Sequence, residues 1–143
     1  MKFIDKPFPK SLDEIKQFIK FINKKTKNNE TISWAITLKD KNELIGTISF
    51  HRIDLDNYRA ELGYMLMPEY WNRGLISEAI PKAIDYGFNQ MKLHSIEANI
   101  NPDHNLSRKI LEKFKFKKEA YFKENFYYEG KFLDSEIYSL LKS

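Results

Sequence analysis

The chain has 143 residues, 42% hydrophobic and 31% charged, which fits one soluble domain over residues 1–143 and is too apolar for a disordered chain. Aromatic residues reach 15%, enough for a sizeable core at this length, and the net charge of +4 is mild. Cysteine is absent, which excludes disulfides, a thiolate nucleophile and cysteine-ligated zinc or iron–sulfur centres.

No apolar run approaches the roughly 20 residues needed to span a bilayer. The start, MKFIDKPFPKS, lacks an apolar leader core. A cytoplasmic location with no membrane partner is therefore expected. The densest basic stretch is Arg108, Lys109, Lys113, Lys115, Lys117 and Lys118, diluted by Glu112 and Glu119. It reads either as solvated faces or as an anionic-ligand site. No RNP-type or glycine-rich RNA signature accompanies it, so nucleic acid is not expected as a partner.

The first element is a helix over residues 12–25. Ser11 and Glu14 form a capping-box pair, and Leu12, Ile15, Phe18, Ile19 and Ile22 recur at helical spacing. Ile32, Trp34, Ile36 and Leu38 then alternate with polar or small residues, the period of a strand. Lys39 to Asn42 turns the chain, residues 44–50 read as the next strand, and Asp54 to Asn57 turns it again. Ala60, Leu62, Tyr64 and Leu66 alternate in a third strand, completing an antiparallel meander.

The period then changes. Ala79, Ile80, Ala83, Ile84, Phe88 and Met91 are spaced for a helix. Pro81 within it removes a backbone bond, so the helix either starts late, near Ser77 or Glu78, or is kinked. Ile96, Ala98 and Ile100 mark a buried strand. Strand, helix, strand without a hairpin is a βαβ unit with parallel strands. A short helix over residues 106–115 follows, with Ile110, Leu111 and Phe114 inward, and residues 121–128 and 132–141 flank a Glu129-Gly130 hairpin turn. The result is an α/β fold with a mixed sheet.

The joint after the third strand carries the chemistry. Asn72-Arg73-Gly74 opens a helix, where unpaired amides and the positive end of the dipole suit a phosphate. An ordinary strand–turn–helix joint with a glycine in the turn would look the same. Three scattered histidines, His51, His94 and His104, give no metal-ligand spacing, and no metal is expected.

These residues resemble a family. Glu61-Leu-Gly-Tyr64, Pro68-Glu-Tyr-Trp-Asn-Arg-Gly74 and Ser77-Glu-Ala79 are similar to the acetyl-CoA motif of GNAT N-acetyltransferases, in particular the RimJ/RimL-type branch. Leu44-Ile-Gly-Thr-Ile48 resembles that family's second core strand, and Ser107 to Phe116 its S-x-x-x-L-E-K-x-G-F helix. The match runs from about residue 30 to 141. Departures are Asn72 and Lys115 where glycine is usual, Ile76 in place of a small residue, and His104 where asparagine is common. The family's first strand and helix would precede Met1, so a shortened N-terminus is expected, with an open sheet edge that a second copy could pair with to form a homodimer.

The resemblance implies the GNAT fold, acetyl-CoA as co-substrate, and direct attack of a primary amine on the thioester. The acceptor would be a protein N-terminus, a polyamine or another small-molecule amine. Backbone amides of Asn72, Arg73, Gly74, Leu75, Ile76 and Ser77 match the pyrophosphate loop. A backbone donor at Leu66 or Met67 would polarise the thioester carbonyl. His104 and the adjoining Asn105 are further cofactor-contact candidates. Ser107 matches the family's serine as proton donor to the thiolate, and reads equally as an N-cap or first-turn serine. Glu61 is the candidate base, against a reading as a solvated strand carboxylate paired with a lysine. Phe126 stands where some relatives place a glutamate. Two other classes remain open: a non-catalytic CoA-binding or partner-binding domain, and a small basic RNA-binding domain.

Overall fold

The computed structural model describes residues 31–38 and 43–143. The helix expected over residues 12–25 and the turn at Lys39 to Asn42 lie outside them. Strand β1 (Ile32–Thr37) pairs antiparallel with β2 (Leu44–Asp54), and β2 with β3 (Arg59–Leu66). Helix α1 (Leu75–Asn89) crosses to β4 (Ser95–Ile100), which lies parallel to β3 as the βαβ pattern requires. Helix α2 (Asn105–Lys113) leads to the hairpin β5 (Lys117–Tyr128) and β6 (Lys131–Leu141). The sheet order is β1-β2-β3-β4-β6-β5.

Register separates the two faces of this sheet. Phe50 lies opposite Leu62, Ile48 opposite Tyr64, Ala60 opposite Ile96 and Ala98 opposite Tyr138, so all share one face. They form the core with Ile80 and Ala83 of α1 and Leu111 of α2. The other face carries small and polar residues: Thr47 beside Met65, Ser49 beside Gly63, His51 beside Glu61, and Glu97 beside Glu61 on the far side. Every residue from Ala60 to Leu66 is buried, on a strand with neighbours along both edges.

Helix α1 starts at Leu75, earlier than the expected Ser77 or Glu78, and Pro81 sits inside it. Ile76, Ile80, Ala83 and Gly87 are buried at spacings of four, three and four. That stripe offsets the hydrogen bond Pro81 cannot donate, and the proline itself is exposed. Two family-glycine positions filled by other residues keep a glycine-like backbone: Asn72 has φ 60° and Lys115 φ 72°.

Basic residues of the 108–118 stretch are partly used inside the fold. Glu136 is 3% exposed and meets Arg108 at 2.9 Å and Lys118 at 2.7 Å. Burial alone would raise its carboxyl, but these two cations outweigh that and hold it below the usual range. They tie α2 and β5 to β6 around a cleft of about 590 Å³.

Candidate active site

Strands β3 and β4 pair only from Arg59 to Glu61 against Ser95 to Glu97. Beyond that point β3 continues to Leu66 and β4 to Ile100 without pairing to each other, so the sheet opens between two parallel strands. Backbone direction then decides which amide faces the opening. The Met67 amide donates to Ile45 O at 2.9 Å across the antiparallel β2 partner. Successive residues alternate, so the Leu66 amide points the other way, toward β4 and the opening. Of the two expected donors, Met67 is therefore corrected: its N–H is spent on β2, and Leu66 is the residue whose amide faces the gap.

Trp71 fixes the loop that follows, its indole Nε1 donating to Leu66 O at 2.8 Å. The turn bends through Asn72, φ 60°, and Gly74, φ 74°. Gly74 is the N-cap of α1, so the amides of Leu75, Ile76 and Ser77 open the helix, while the Gly74 carbonyl accepts from the Glu78 amide at 3.1 Å. Ile76 is buried to 7% exposure, its side chain in the core, which leaves only its amide to a ligand. Arg73 is exposed, with its guanidinium over the Tyr70 ring at 5.3 Å. These groups fit a pyrophosphate: a helix N-terminus, an exposed glycine with no atom within 4 Å of where a Cβ would stand, and a cation.

Ser107 lies in the first turn of α2 rather than at its cap. His104 takes that place, its Nδ1 accepting the Ser107 amide at 3.0 Å. Burial pushes the His104 pKa down to about 4, so the ring is neutral at neutral pH and Nδ1 keeps the lone pair that the cap needs. The capping bond occupies Nδ1. Asn105 is the first residue of α2 and accepts from Arg108 Nη1 at 3.2 Å. The Ser107 hydroxyl is fully enclosed and accepts from Tyr64 OH at 3.3 Å. Burial raises the Tyr64 pKa, keeping its phenol protonated as a donor.

Glu61 is on the opposite face of β3 from Tyr64. It is 5% exposed, which overturns the reading as a solvated carboxylate paired with lysine. Its neighbours are His51 Nε2 and Arg52 Nη1, each at 3.5 Å. The opening thus has an enclosed hydroxyl pair on the helix side and a buried carboxylate on the polar side. Tyr64 was singled out from sequence only as a candidate for lining the acceptor pocket; its bond to Ser107 and the Arg52 pairing were not, since both depend on register and on contacts between distant segments. Phe126 stacks on Tyr128, ring centroids 6.2 Å apart, and supplies no base.

Comparison with known proteins gives the activity. The family model "Acetyltransferase (GNAT) domain" matches residues 1–117. The chain belongs to the GNAT family of acetyltransferases. It is 36% identical over 131 residues to the uncharacterized N-acetyltransferase p20 of Bacillus licheniformis, covering 92% of this chain and 74% of that one. A crystal structure of a probable acetyltransferase superposes with TM-score 0.82 at 28% identity, covering 95% of this chain and 76% of the other. Two more distant relatives are named for their acceptors. The [ribosomal protein uS5]-alanine N-acetyltransferase of Escherichia coli is 28% identical over 83% of this chain and 62% of its own length. The spermidine N(1)-acetyltransferase of Vibrio cholerae is 25% identical over 99% and 79%.

GNAT acetyltransferases use acetyl-CoA, and this one is an N-acetyltransferase. Among the described residues no cluster of three or more His, Asp or Glu could hold a metal, and no helix is long and apolar enough to cross a membrane.

Proposed function

We propose that this GNAT enzyme transfers the acetyl group to a primary amine in a ternary complex, the two substrates meeting in the opening between β3 and β4. The observation that carries the reading is the placement of different chemistry on the two sides of that opening. Glu61 on the polar face accepts a proton from the amine. The amine nitrogen bonds to the thioester carbon, and negative charge gathers on the carbonyl oxygen, where the Leu66 amide donates to it. The carbon–sulfur bond then breaks, and sulfur leaves toward the helix face. There the Ser107 hydroxyl, held by Tyr64, hydrogen-bonds it and passes it the proton of the free thiol, the serine oxygen regaining a proton from solvent by way of the Tyr64 hydroxyl while Glu61 releases the amine's proton to solvent. The amides from Asn72 to Ser77 hold the pyrophosphate, so the thioester is delivered in one orientation.

Thiol release with a panel of alkylamines, polyamines and peptide N-termini tests this reading. Turnover requiring an amine is expected, and thiol release independent of amine would contradict it. Ser107→Ala should lower kcat about tenfold, the loss of one hydrogen bond to a charged group, with acetyl-CoA affinity unchanged. Tyr64→Phe should have the same effect in smaller measure. If Ser107 only packs, its alanine variant would lower Tm and leave kcat at the wild-type value. A cytoplasmic homodimer is the assembly we infer. The exposed aromatic residues Tyr121, Phe122, Tyr127 and Phe132 on the β5–β6 hairpin support self-association.

A further inference from the structure

The polar face of the sheet holds a second carboxylate that acetyl transfer does not need. Glu97 of β4 lies directly beside Glu61 of β3 in the last paired register before the strands part, so both side chains leave the same face at the mouth of the opening. Adjacent strands are about 4.8 Å apart, and two ionised carboxylates at such a separation repel. Burial, and after it the charge of Glu61, push the Glu97 carboxyl above its usual range; Arg59 and Arg52 pull it back, and Glu119 adds to the rise. The two arginines have other partners as well, Arg59 with Asp54 at 3.6 Å and Arg52 with Glu61 at 3.5 Å.

An independent observation points to a ligand here. Glu61 is more than nine-tenths buried, and its Oε2, which meets the exposed Arg52 guanidinium at 3.5 Å, makes no hydrogen bond among the described residues. A 3.5 Å ion pair leaves the hydrogen-bonding capacity of that oxygen unused, and a cationic N–H donor entering the opening would fill it. Glu97 is half-buried and reachable from the same side.

We propose that Glu97 sets acceptor specificity, holding the second positive charge of a short alkyl diamine or polyamine while Glu61 faces the reacting amine. The inference rests on the reading of Glu61 as the group that receives the acceptor. The interstrand step, about 4.8 Å, is comparable to the span between the nitrogens of a short diamine. A singly charged amine leaves the Glu61–Glu97 repulsion half-compensated, so it binds less tightly to the same mouth.

The test titrates 1,4-diaminobutane and butylamine calorimetrically into the enzyme saturated with CoA, and follows acetylation of both at steady state. Wild type should bind the diamine about tenfold or more tighter than the monoamine, the value of one charge-assisted contact. Glu97→Gln should bring that ratio close to one, with the loss on the diamine appearing in KM rather than kcat. Glu97→Asp, which keeps the charge, should restore part of the ratio. Equal binding of the two amines by wild type, or an undiminished ratio in Glu97→Gln, would overturn the proposal. Because binding is read without turnover, a preserved ratio with no acetylation of any amine would remove Glu61 as base and leave the diamine site standing.

Discussion

Replacing Glu61 by Gln is expected to lower kcat about a thousandfold while leaving the affinity for acetyl-CoA within twofold of wild type. The substitution keeps volume and one hydrogen-bonding oxygen but removes the carboxylate proposed to take a proton from the amine. Its environment separates this effect from unfolding. Arg52, one of the two groups at 3.5 Å, is 65% exposed and returns to water when the charge is lost. A buried charge is exchanged for a buried amide of similar shape, so the cost in stability is small. A kcat within threefold of wild type would remove Glu61 from the chemistry. The profile should be followed by thiol release at saturating amine, with Tm recorded for both proteins.

The largest structural effect is expected at Gly46. A Cβ there would stand 2.2 Å from the Met65 carbonyl oxygen and 3.0 Å from Leu66 Cα, both backbone atoms of the neighbouring strand. No rotamer relieves that contact, so β2 and β3 have to separate. Gly46→Ala should cost about 3 kcal/mol, or roughly 10 °C in Tm for a chain of this size. It should also lower activity in the fraction that stays folded, because Gly46 pairs with Leu66, whose amide faces the opening. Thermal unfolding by circular dichroism checks the first effect. A variant as stable as wild type would show that the close approach of the two strands is not required.

How much of this was legible in the sequence depended on how far apart the interacting residues lie. Period-two alternation at Ala60, Leu62, Tyr64 and Leu66 and helical spacing from Ala79 onward gave the order of strands and helices, because both are local patterns. The parallel pairing of β3 and β4 followed from the intervening helix. Glu61 and Ser107 were marked by motif resemblance, yet their surroundings were not. The hydroxyl partner of Ser107 is 43 residues away, and the neighbours of Glu61 come from its register with β2. Pro81 left a late start and a kinked helix both open for α1, since a local rule about proline says nothing of the buried stripe that lets the helix begin at Leu75. Arg108 and Lys118 look like any surface cations until β6 brings Glu136 between them. The choice between Leu66 and Met67 needed the hydrogen-bond direction of a single amide.

In the proposed mechanism the turn at Gly74, the start of α1 and the opening beside Leu66 together hold the acetyl donor. Calorimetric titration of acetyl-CoA into wild type and Gly74→Ala tests it most directly. Gly74 holds φ at 74° with no atom within 4 Å of an added Cβ, so alanine there meets backbone strain of about 1 kcal/mol and no clash. Micromolar binding of one acetyl-CoA per chain, weakened several-fold by Gly74→Ala in a protein that remains folded, is the predicted result. No heat of binding up to millimolar acetyl-CoA, or an affinity indifferent to Gly74→Ala, would contradict it.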